Sequence, residues 1–460
     1  MQRQTHEQED GGVLRSSIWR TAGSSAALQI LTTVLAGVLG FLTSRTIITT
    51  FGVEAYAQYG LLVALPALMP FVDLGLAAIV VNAVAGSPDP RNDERVRRTL
   101  TSAFRLLLPS AAVIVVVAVS IEALGLWPAL LGDGLMPGGE RVATVCLVIF
   151  ALTVPLGLGT RVLVGLGRNP LRIVLAALTS PLVLGSVLLS AQLGGGSGEW
   201  LAVFSFGATA VVFAISLVVA GALLRPQMVR AARDILHPRR APGVRVLDTA
   251  WPMLVQLTAL PVAMQSGRVL LSHVGSTEEL AQYNLGSQLF NIAAGAVATA
   301  GLALWPHFTR ARTEAVVASP FRACGVFAAG GLALAGGVAV LVPFLVPLVT
   351  DDAFSLPLGL SLAFVVFVVA QAVKYPLGMY MTDAAGLRFQ VLPVLAMIPL
   401  SLGLAWALTD RLGAVAPVVA TTLAVVLCQV VPNFYWVRRD LATRRTAAEL
   451  SAISARSADL

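Results

Sequence analysis

The sequence predicts an all-α polytopic membrane protein, and three observations support this fold class. Apolar residues make up 57% of the 460-residue chain and charged residues only 12%, which is about half the charged fraction of a soluble protein. The mean hydropathy is +0.83. The apolar runs are about 20 residues or longer, the length of a membrane-spanning helix and not of a barrel strand. Because a spanning backbone must satisfy its own hydrogen bonds, we expect helices.

Twelve spans can be placed along the chain. Their approximate limits are 23–50, 56–85, 99–125, 142–165, 171–193, 200–224, 248–272, 279–306, 321–349, 357–383, 390–409 and 416–437. The loops then alternate between two sides, and 25 of the 31 arginine and lysine residues fall on one side, against Arg141 and Arg411 on the other. The positive-inside rule therefore predicts a multi-pass protein of the inner (cytoplasmic) cell membrane with both termini in the cytoplasm.

The composition argues against several classes of function. The net charge of +7 and the pI of 9.9 are explained by basic cytoplasmic loops, so we expect no nucleic-acid partner. The three cysteines lie in apolar runs without metal-ligand spacing, and the four histidines form no cluster. We therefore expect neither a metal nor a cofactor. Residues 1–22 are polar and lead into no short apolar core with a cleavage site, so the first helix is expected to be retained.

Two internal matches indicate a duplicated chain. Arg45 precedes Gly52 by seven residues, Arg268 precedes Gly275 by the same distance, and Ala-Gln-Tyr follows in both copies. Pro-Leu-Gly recurs in the predicted fourth and tenth spans. Chance convergence of loop chemistry is the alternative. A duplication predicts two six-helix lobes that are parallel repeats, related by an axis along the membrane normal.

The predicted organisation follows from these spans. A cytoplasmic linker, basic and proline-bearing, separates the two lobes at the middle of the chain. The five predicted regions are an N-terminal tail (1–22), an N-lobe of helices 1–6 (23–224), the linker (225–247), a C-lobe of helices 7–12 (248–437) and a C-terminal tail (438–460).

The repeated hairpin is similar to that of a known transporter family. The matching residues are Gly52, Glu54, Tyr56 or Tyr59 and Asp73-Leu74-Gly75-Leu76 in the first half, and Gly275, Glu278, Tyr283 and Trp305-Pro306 in the second. This pattern resembles the polysaccharide flippases (O-antigen and exopolysaccharide type) of the multidrug/oligosaccharidyl-lipid/polysaccharide (MOP) superfamily. The resemblance implies two six-helix lobes in a V-shaped fold like that of the multidrug and toxin extruders (MATE). It also implies alternating-access transfer of an undecaprenyl-pyrophosphate-linked oligosaccharide between leaflets for cell-surface polysaccharide biosynthesis, with a polysaccharide polymerase and other biosynthesis proteins as partners.

Charges inside the predicted spans identify candidate site residues. A charged side chain at the bilayer centre costs roughly 3 kcal/mol or more unless it faces water or a partner. Four cations lie inside spans: Arg45, Arg161, Arg268 and Lys374. Arginine's forked donors match phosphate oxygens, so these four residues are predicted to form a cationic cavity for the pyrophosphate.

Each charge also has a structural interpretation. The three arginines lie near span ends and could extend to the headgroups instead. Lys374, the only lysine of the chain, could pair within its lobe. Asp73 is the one deep anion, either a coupling-ion site or a structural charge partner. Polar groups such as Gln265, Asn291 and Gln371 could bind sugar hydroxyls or join helices.

Three other functions were weighed. A cation-coupled drug exporter of the MATE type has the same plan, but it should line its cavity with carboxylates, whereas this chain offers cations. A membrane polysaccharide polymerase or ligase would need a large outer loop for its catalytic groups, and none is predicted, so we expect a transporter and not an enzyme. A scaffold without transport does not explain the intramembrane charges. The chain shows no nucleotide-binding loop, which leaves an ion gradient or mass action as the drive.

Overall fold

The computed structural model describes residues 28, 31–69, 76–194, 196, 198–235, 262, 265–302, 304, 308 and 317–458. Regular secondary structure in these residues is entirely helical. Nine helices among them are long and apolar enough to cross a membrane. Large apolar side chains such as Phe344 and Leu392 are about three-quarters exposed on them, as expected of surfaces that face lipid.

The predicted twelve spans correspond to these helices only in part. The predicted second span is divided between Val53–Leu68 and Leu76–Ala85. Most of the predicted seventh span lies outside the described residues. The predicted eleventh and twelfth spans fall within one helical stretch, Ala385–Arg444. The exact number of spans therefore stays a prediction.

Eighteen α-helices are used in the description below. The first five are α1 (Leu31–Phe51), α2 (Val53–Ala64), α3 (Leu76–Ala85), α4 (Glu94–Ala123) and α5 (Trp127–Leu131). The next six are α6 (Gly139–Leu156), α7 (Leu158–Gly165), α8 (Asn169–Ala177), α9 (Thr179–Gln192), α10 (Leu201–Leu223) and α11 (Gln227–Asp234). The last seven are α12 (265–274), α13 (Thr277–Leu302), α14 (Phe321–Thr350), α15 (Leu358–Tyr380), α16 (Ala384–Leu412), α17 (Ala416–Val425) and α18 (Val431–Ala458). A π-helix, Val426–Val430, joins the last two.

The chain forms two compact units. The first unit comprises Met1–Thr46, Val72–Leu124 and Arg141–Val246. The second unit comprises Ile47–Phe71, Gly125–Glu140 and Leu247–Leu460. Two short segments from early in the sequence thus pack with its second half. The lobe boundaries predicted above remain predictions.

The first unit packs around the apolar faces of α3, α4, α7, α10 and α11. Val84, Leu100 and Leu163 are almost completely buried in this core. Gly159 allows α7 to lie directly against the α10 backbone, because a Cβ there would come within 2.4 Å of the Leu217 Cα. The start of the predicted linker forms α11, which Arg97 holds by an ion pair of 3.3 Å to Asp234.

The second unit is organised around α13, which packs against α2, α14 and α15. Its start is fixed by reciprocal capping: the Ser276 backbone N–H donates to Glu279 at 2.7 Å, and the Glu279 N–H donates to the Ser276 hydroxyl at 3.2 Å. α15 begins after Pro357, and α16 begins at Asp383, whose carboxylate accepts the Gly386 N–H. These caps satisfy backbone donors that a helix cannot pair internally.

Contact between α13 and α15 depends on a glycine. The ring of Phe364 stacks on that of Phe290, with centroids 5.2 Å apart. A Cβ on Gly286 would lie 2.7 Å from the Phe364 Cε2 atom, so only glycine leaves room for this ring. The stack holds α15 beside α13 and therefore fixes the shape of the cavity between them.

Replacing Gly286 by alanine should destabilise the second unit. The added Cβ would overlap the Phe364 ring, which also stacks on Phe290, and overpacking of this kind costs about 1–3 kcal/mol. We expect a lower midpoint of thermal unfolding for the purified protein in detergent, followed by its tryptophan fluorescence. Gly295→Ala is the matched control on the same helix, because a Cβ there meets nothing within 4 Å. Equal midpoints for the two variants would contradict this account of the packing.

Candidate functional site

A polar cavity lies between the helices of the second unit. α12, α13, α15 and α17 each contribute side chains to it. The lining residues are Gln265, Arg268, Tyr283, Ser287, Asn291, Phe364, Phe367, Val418 and Thr421. Gly267 allows the close approach of α12 to α17 here, because a Cβ on it would lie 2.8 Å from the Pro417 Cβ. Among the lining residues that the structure describes, Arg268 supplies the only charge.

Arg268 is held by α13. Its Nη2 donates to the Ser287 hydroxyl, and that hydroxyl donates in turn to the Asn284 carbonyl at 3.3 Å. The guanidinium carbon lies 5.9 Å from the centre of the Tyr283 ring, within range of a cation–π interaction. Both contacts come from one face of α13, so this helix sets the position of the charge.

The guanidinium keeps unused donors. Its Nε is buried and has no hydrogen-bond partner in the part of the chain that the structure describes. Within that same part, Arg268 forms no ion pair with a carboxylate. A buried donor without a partner is costly, about 1–3 kcal/mol. An anion in the cavity would satisfy it, and arginine's planar fork fits two oxygens of a phosphate.

Aromatic rings form one wall of the cavity. Phe364 lies between Tyr283, at a centroid distance of 6.0 Å, and Phe290. Phe367, one turn further along α15, also lines the cavity and is 9% exposed. Aromatic faces of this kind can pack against the apolar face of a ring-shaped ligand while the arginine holds its charge.

Lys374 lies on the same face of α15 as Phe367. The two positions differ by seven residues, which is about two helical turns or roughly 10 Å along the axis. Gln371 lies between them on this face, and both Gln371 and Lys374 are buried. The Lys374 ammonium lies 5.1 Å from the centre of the Tyr375 ring. Among the described residues it forms no ion pair with a carboxylate.

The predicted site residues fall in both units. Arg268 and Lys374 belong to the second unit, while Arg45 on α1 and Arg161 on α7 belong to the first. Arg45 and Arg161 are half-buried. The charge of Arg161 acts on Arg172, so the first unit places two like charges near each other. Asp73 lies outside the described residues.

Sequence reasoning missed part of this cavity. Gln265 and Asn291 were considered only as general polar groups of the spans. Ser287, Phe364 and Phe367 carried no signal, because serine and phenylalanine are ordinary in apolar helices. One pattern could have found Ser287: it recurs with Tyr283 and Asn291 at four-residue spacing, which puts all three on one helix face.

Comparison with known proteins identifies the fold. A family model described as "Polysaccharide biosynthesis protein" matches residues 18–312. No protein with a curated description matches the chain. An inward-facing multidrug resistance MATE family transporter of the MOP superfamily has a TM-score of 0.71 at 16% identity, over 91% of this chain and 99% of that one.

Two further solved structures share the fold. The lipid II flippase MurJ, in an inward closed conformation, has a TM-score of 0.63 at 10% identity, covering 94% of this chain and 93% of that one. A MOP superfamily transporter from Pyrococcus furiosus, described by a reverse polarity of its binding pocket that suggests a different function, has a TM-score of 0.62 at 15% identity. It covers 92% of this chain and 96% of its own. These similarities confirm the predicted all-α, MATE-like fold.

Replacing Lys374 by methionine should stabilise the protein. Methionine keeps the length of the side chain and removes a buried charge that forms no ion pair among the described residues. We expect a gain of about 1–3 kcal/mol, measured as a higher midpoint of thermal unfolding in detergent. Lys374→Arg keeps the charge and is the control. A lower midpoint for the methionine variant than for the native chain would contradict the description of this environment.

Proposed function

Because the chain belongs to the polysaccharide biosynthesis protein family, we propose that it is an alternating-access flippase. Its substrate is an undecaprenyl-pyrophosphate-linked oligosaccharide, which it moves from the inner to the outer leaflet for cell-surface polysaccharide biosynthesis. Family and fold together support a membrane transporter of lipid-linked substrates, not an enzyme. MurJ, which shares the fold, is named as a flippase of lipid II.

One observation carries the choice of substrate: the lining of the described cavity has a cation and no carboxylate. A diphosphate must keep its charge while it passes through a region of low dielectric constant, where isolated charges are strongly disfavoured. Arg268 offers a buried, unpaired Nε donor together with its guanidinium charge. We propose that it binds the pyrophosphate, and that Gln265, Asn291 and the aromatic wall contact the sugar next to it.

The remaining predicted cations extend this proposal. Lys374 would hold the diphosphate at a second position, about 10 Å along α15 from Phe367 of the cavity lining. Arg45 and Arg161 would receive it on the first unit. Two separate positions suit a charge that must travel, since a single tight site would retain it. Asp73 is proposed as a coupling-ion site or a structural charge partner.

The cavity does not favour the drug-exporter alternative. An exporter of organic cations exchanges protons for substrate at carboxylates, and the described cavity lining contains none. The transporter from Pyrococcus furiosus shows that a reversed polarity of the pocket has been described within this fold. We propose that the positive charge in its cavity lining separates this chain from the cation exporters in the same way.

The orientation in the membrane is part of the proposal. The distribution of arginine supports an inner-membrane protein with both termini in the cytoplasm. A polysaccharide polymerase and other biosynthesis proteins are proposed as its partners, because the translocated oligosaccharide must be consumed on the far side of the membrane.

Replacing Arg268 by alanine should slow flipping strongly. The change removes the guanidinium that is proposed to hold the diphosphate, and charged hydrogen bonds of this kind contribute about 1.5–3 kcal/mol each. We expect a loss of at least tenfold in the initial rate at which a fluorescent polyprenyl-diphosphate sugar crosses the bilayer of proteoliposomes. Arg268→Lys keeps the charge without the fork and should retain part of the rate.

Arg388→Ala is the control for this measurement. Arg388 is an exposed arginine at the start of α16, away from the cavity lining. The Arg388→Ala variant should flip the substrate at the native rate. A stable Arg268→Ala variant with the native rate would refute the assignment of the diphosphate to this cavity.

The double variant Arg45→Ala/Arg268→Ala tests whether the first unit shares the substrate. If both arginines bind the same diphosphate at different stages, the double variant should have no measurable flipping while it still accumulates in the membrane. Its membrane content is measured by immunoblotting of the membrane fraction. Full transport by this variant would show that neither arginine contacts the substrate.

A further inference from the structure

Two segments from the first third of the sequence pack against α12 and α13 within the second unit. They are α2 and the connection 125–140, and we call this packing the junction. The Tyr56 hydroxyl donates to Gln288 at 3.2 Å, and the Asn284 amide donates to the Ala57 carbonyl at 3.3 Å. The Met136 N–H donates to the Gln58 side chain at 2.7 Å. The junction is therefore polar and specific.

The backbones of the junction touch. Gly132 has a positive φ of 60°. A Cβ on it would lie 2.4 Å from the Ser272 carbonyl oxygen and 2.7 Å from the His273 Cα. The connection 125–140 is thus seated directly on the last turn of α12, immediately beside His273.

Both ring nitrogens of His273 face carbonyl oxygens. Nδ1 lies 2.7 Å from the Val269 carbonyl oxygen on α12, and Nε2 lies 3.0 Å from the Ala129 carbonyl oxygen on α5. A carbonyl can only accept, so each nitrogen must donate to make a hydrogen bond. Only the imidazolium has two N–H donors. This geometry therefore fits the protonated ring.

A neutral ring cannot satisfy both contacts. If Nδ1 carries the proton, the Nε2 lone pair faces the Ala129 oxygen, and the bond across the junction becomes a repulsion. If Nε2 carries it, the Nδ1 lone pair faces the Val269 oxygen instead. His273 also lies in the last turn of α12, where the negative end of the helix dipole favours a cation.

Among the side chains that the structure describes, no carboxylate pairs with the His273 ring. His273 forms no ion pair with them. On α13, Glu279 is engaged by the cap at Ser276, and Glu278 accepts from Gln282 at 3.1 Å. The other charged residues of these elements are Glu54 on α2, Asp133 and Glu140 in the connection, and Arg268, which is directed to the cavity. The ring is exposed, so solvent protons reach it.

We propose that His273 is a proton-binding site that couples protonation to closure of the junction. Protonation gives the imidazolium both carbonyl bonds and holds 125–140 on α12. The neutral ring that keeps its proton on Nδ1, at the shorter contact of 2.7 Å to Val269, loses the Ala129 bond and releases the connection. This inference rests on the proposed flippase function, for which it supplies a coupling ion. On the predicted topology the site faces the outer side of the membrane, so an acidic exterior closes the junction.

Hydrogen–deuterium exchange of the full chain in detergent tests this proposal. The probe is the backbone of 125–140, which includes the Met136 N–H, measured at about pH 6 and about pH 8, where histidine changes charge. Exchange times are scaled for the intrinsic pH dependence of exchange. Peptides from α14 are the internal control, because that helix does not contact the junction through His273.

The native chain should lose about tenfold in protection of 125–140 between the two pH values, as expected for one charged hydrogen bond. His273→Gln should show low protection at both values, and His273→Arg, which is always charged, high protection at both. A native profile without pH dependence would overturn the proposal. So would a His273→Gln variant that keeps the native pH dependence.

The result of the exchange measurement is independent of the flipping assay, because the exchange measurement uses no lipid substrate. A flat exchange profile together with active diphosphate flipping would overturn the proton site alone. A pH-dependent junction in a protein that does not flip polyprenyl diphosphates would overturn the proposed function alone.

Discussion

The second unit depends on one constraint: α13 is polar on two faces and is buried on both. One face holds Arg268 through Ser287 and Tyr283. The other holds α2 through Asn284 and Gln288. The Ser287 hydroxyl also bonds the Asn284 carbonyl, so the two faces meet within one helical turn. A buried polar helix is stable only when its groups are paired, and these partners fix both the cavity and the junction around it.

This arrangement explains why the repeated hairpin is informative although its two copies lie in different surroundings. In the first copy, Ala57 and Gln58 bind groups across the junction. In the second copy, Tyr283 lies under the guanidinium of Arg268. The same three-residue pattern, Ala-Gln-Tyr, therefore contributes to the junction in the first copy and to the cavity in the second. Repetition in a sequence marks equivalent positions on helices, but it does not fix what each position contacts.

The sequence was sufficient for the fold class because the bilayer restricts a spanning backbone to few solutions. It also drew attention to Arg268 and Lys374, since charges stand out in an apolar chain; Arg268 lines the cavity, and the roles of both residues stay proposals. It could not identify Ser287, Phe364 or His273. Their importance comes from which atoms face them, and contacts between distant helices leave no local pattern. The span count stays a prediction: within the stretch Ala385–Arg444 only the short turn Gly413–Val415 and the π-helix Val426–Val430 interrupt the α-helix, so helix length alone does not count the spans.

The two glycine contacts at the cavity have an evolutionary consequence. Gly267 against Pro417 sets how closely α12 approaches α17, and Gly286 against Phe364 sets how closely α13 approaches α15. Neither glycine contributes a polar group, whereas Arg268 supplies the charge among the described lining residues. The width and the polarity of the cavity thus depend on separate positions in the sequence. Under the proposed flippase function, selection for a bulkier or slimmer cargo can act on a backbone contact while the anchor for its charged end stays unchanged.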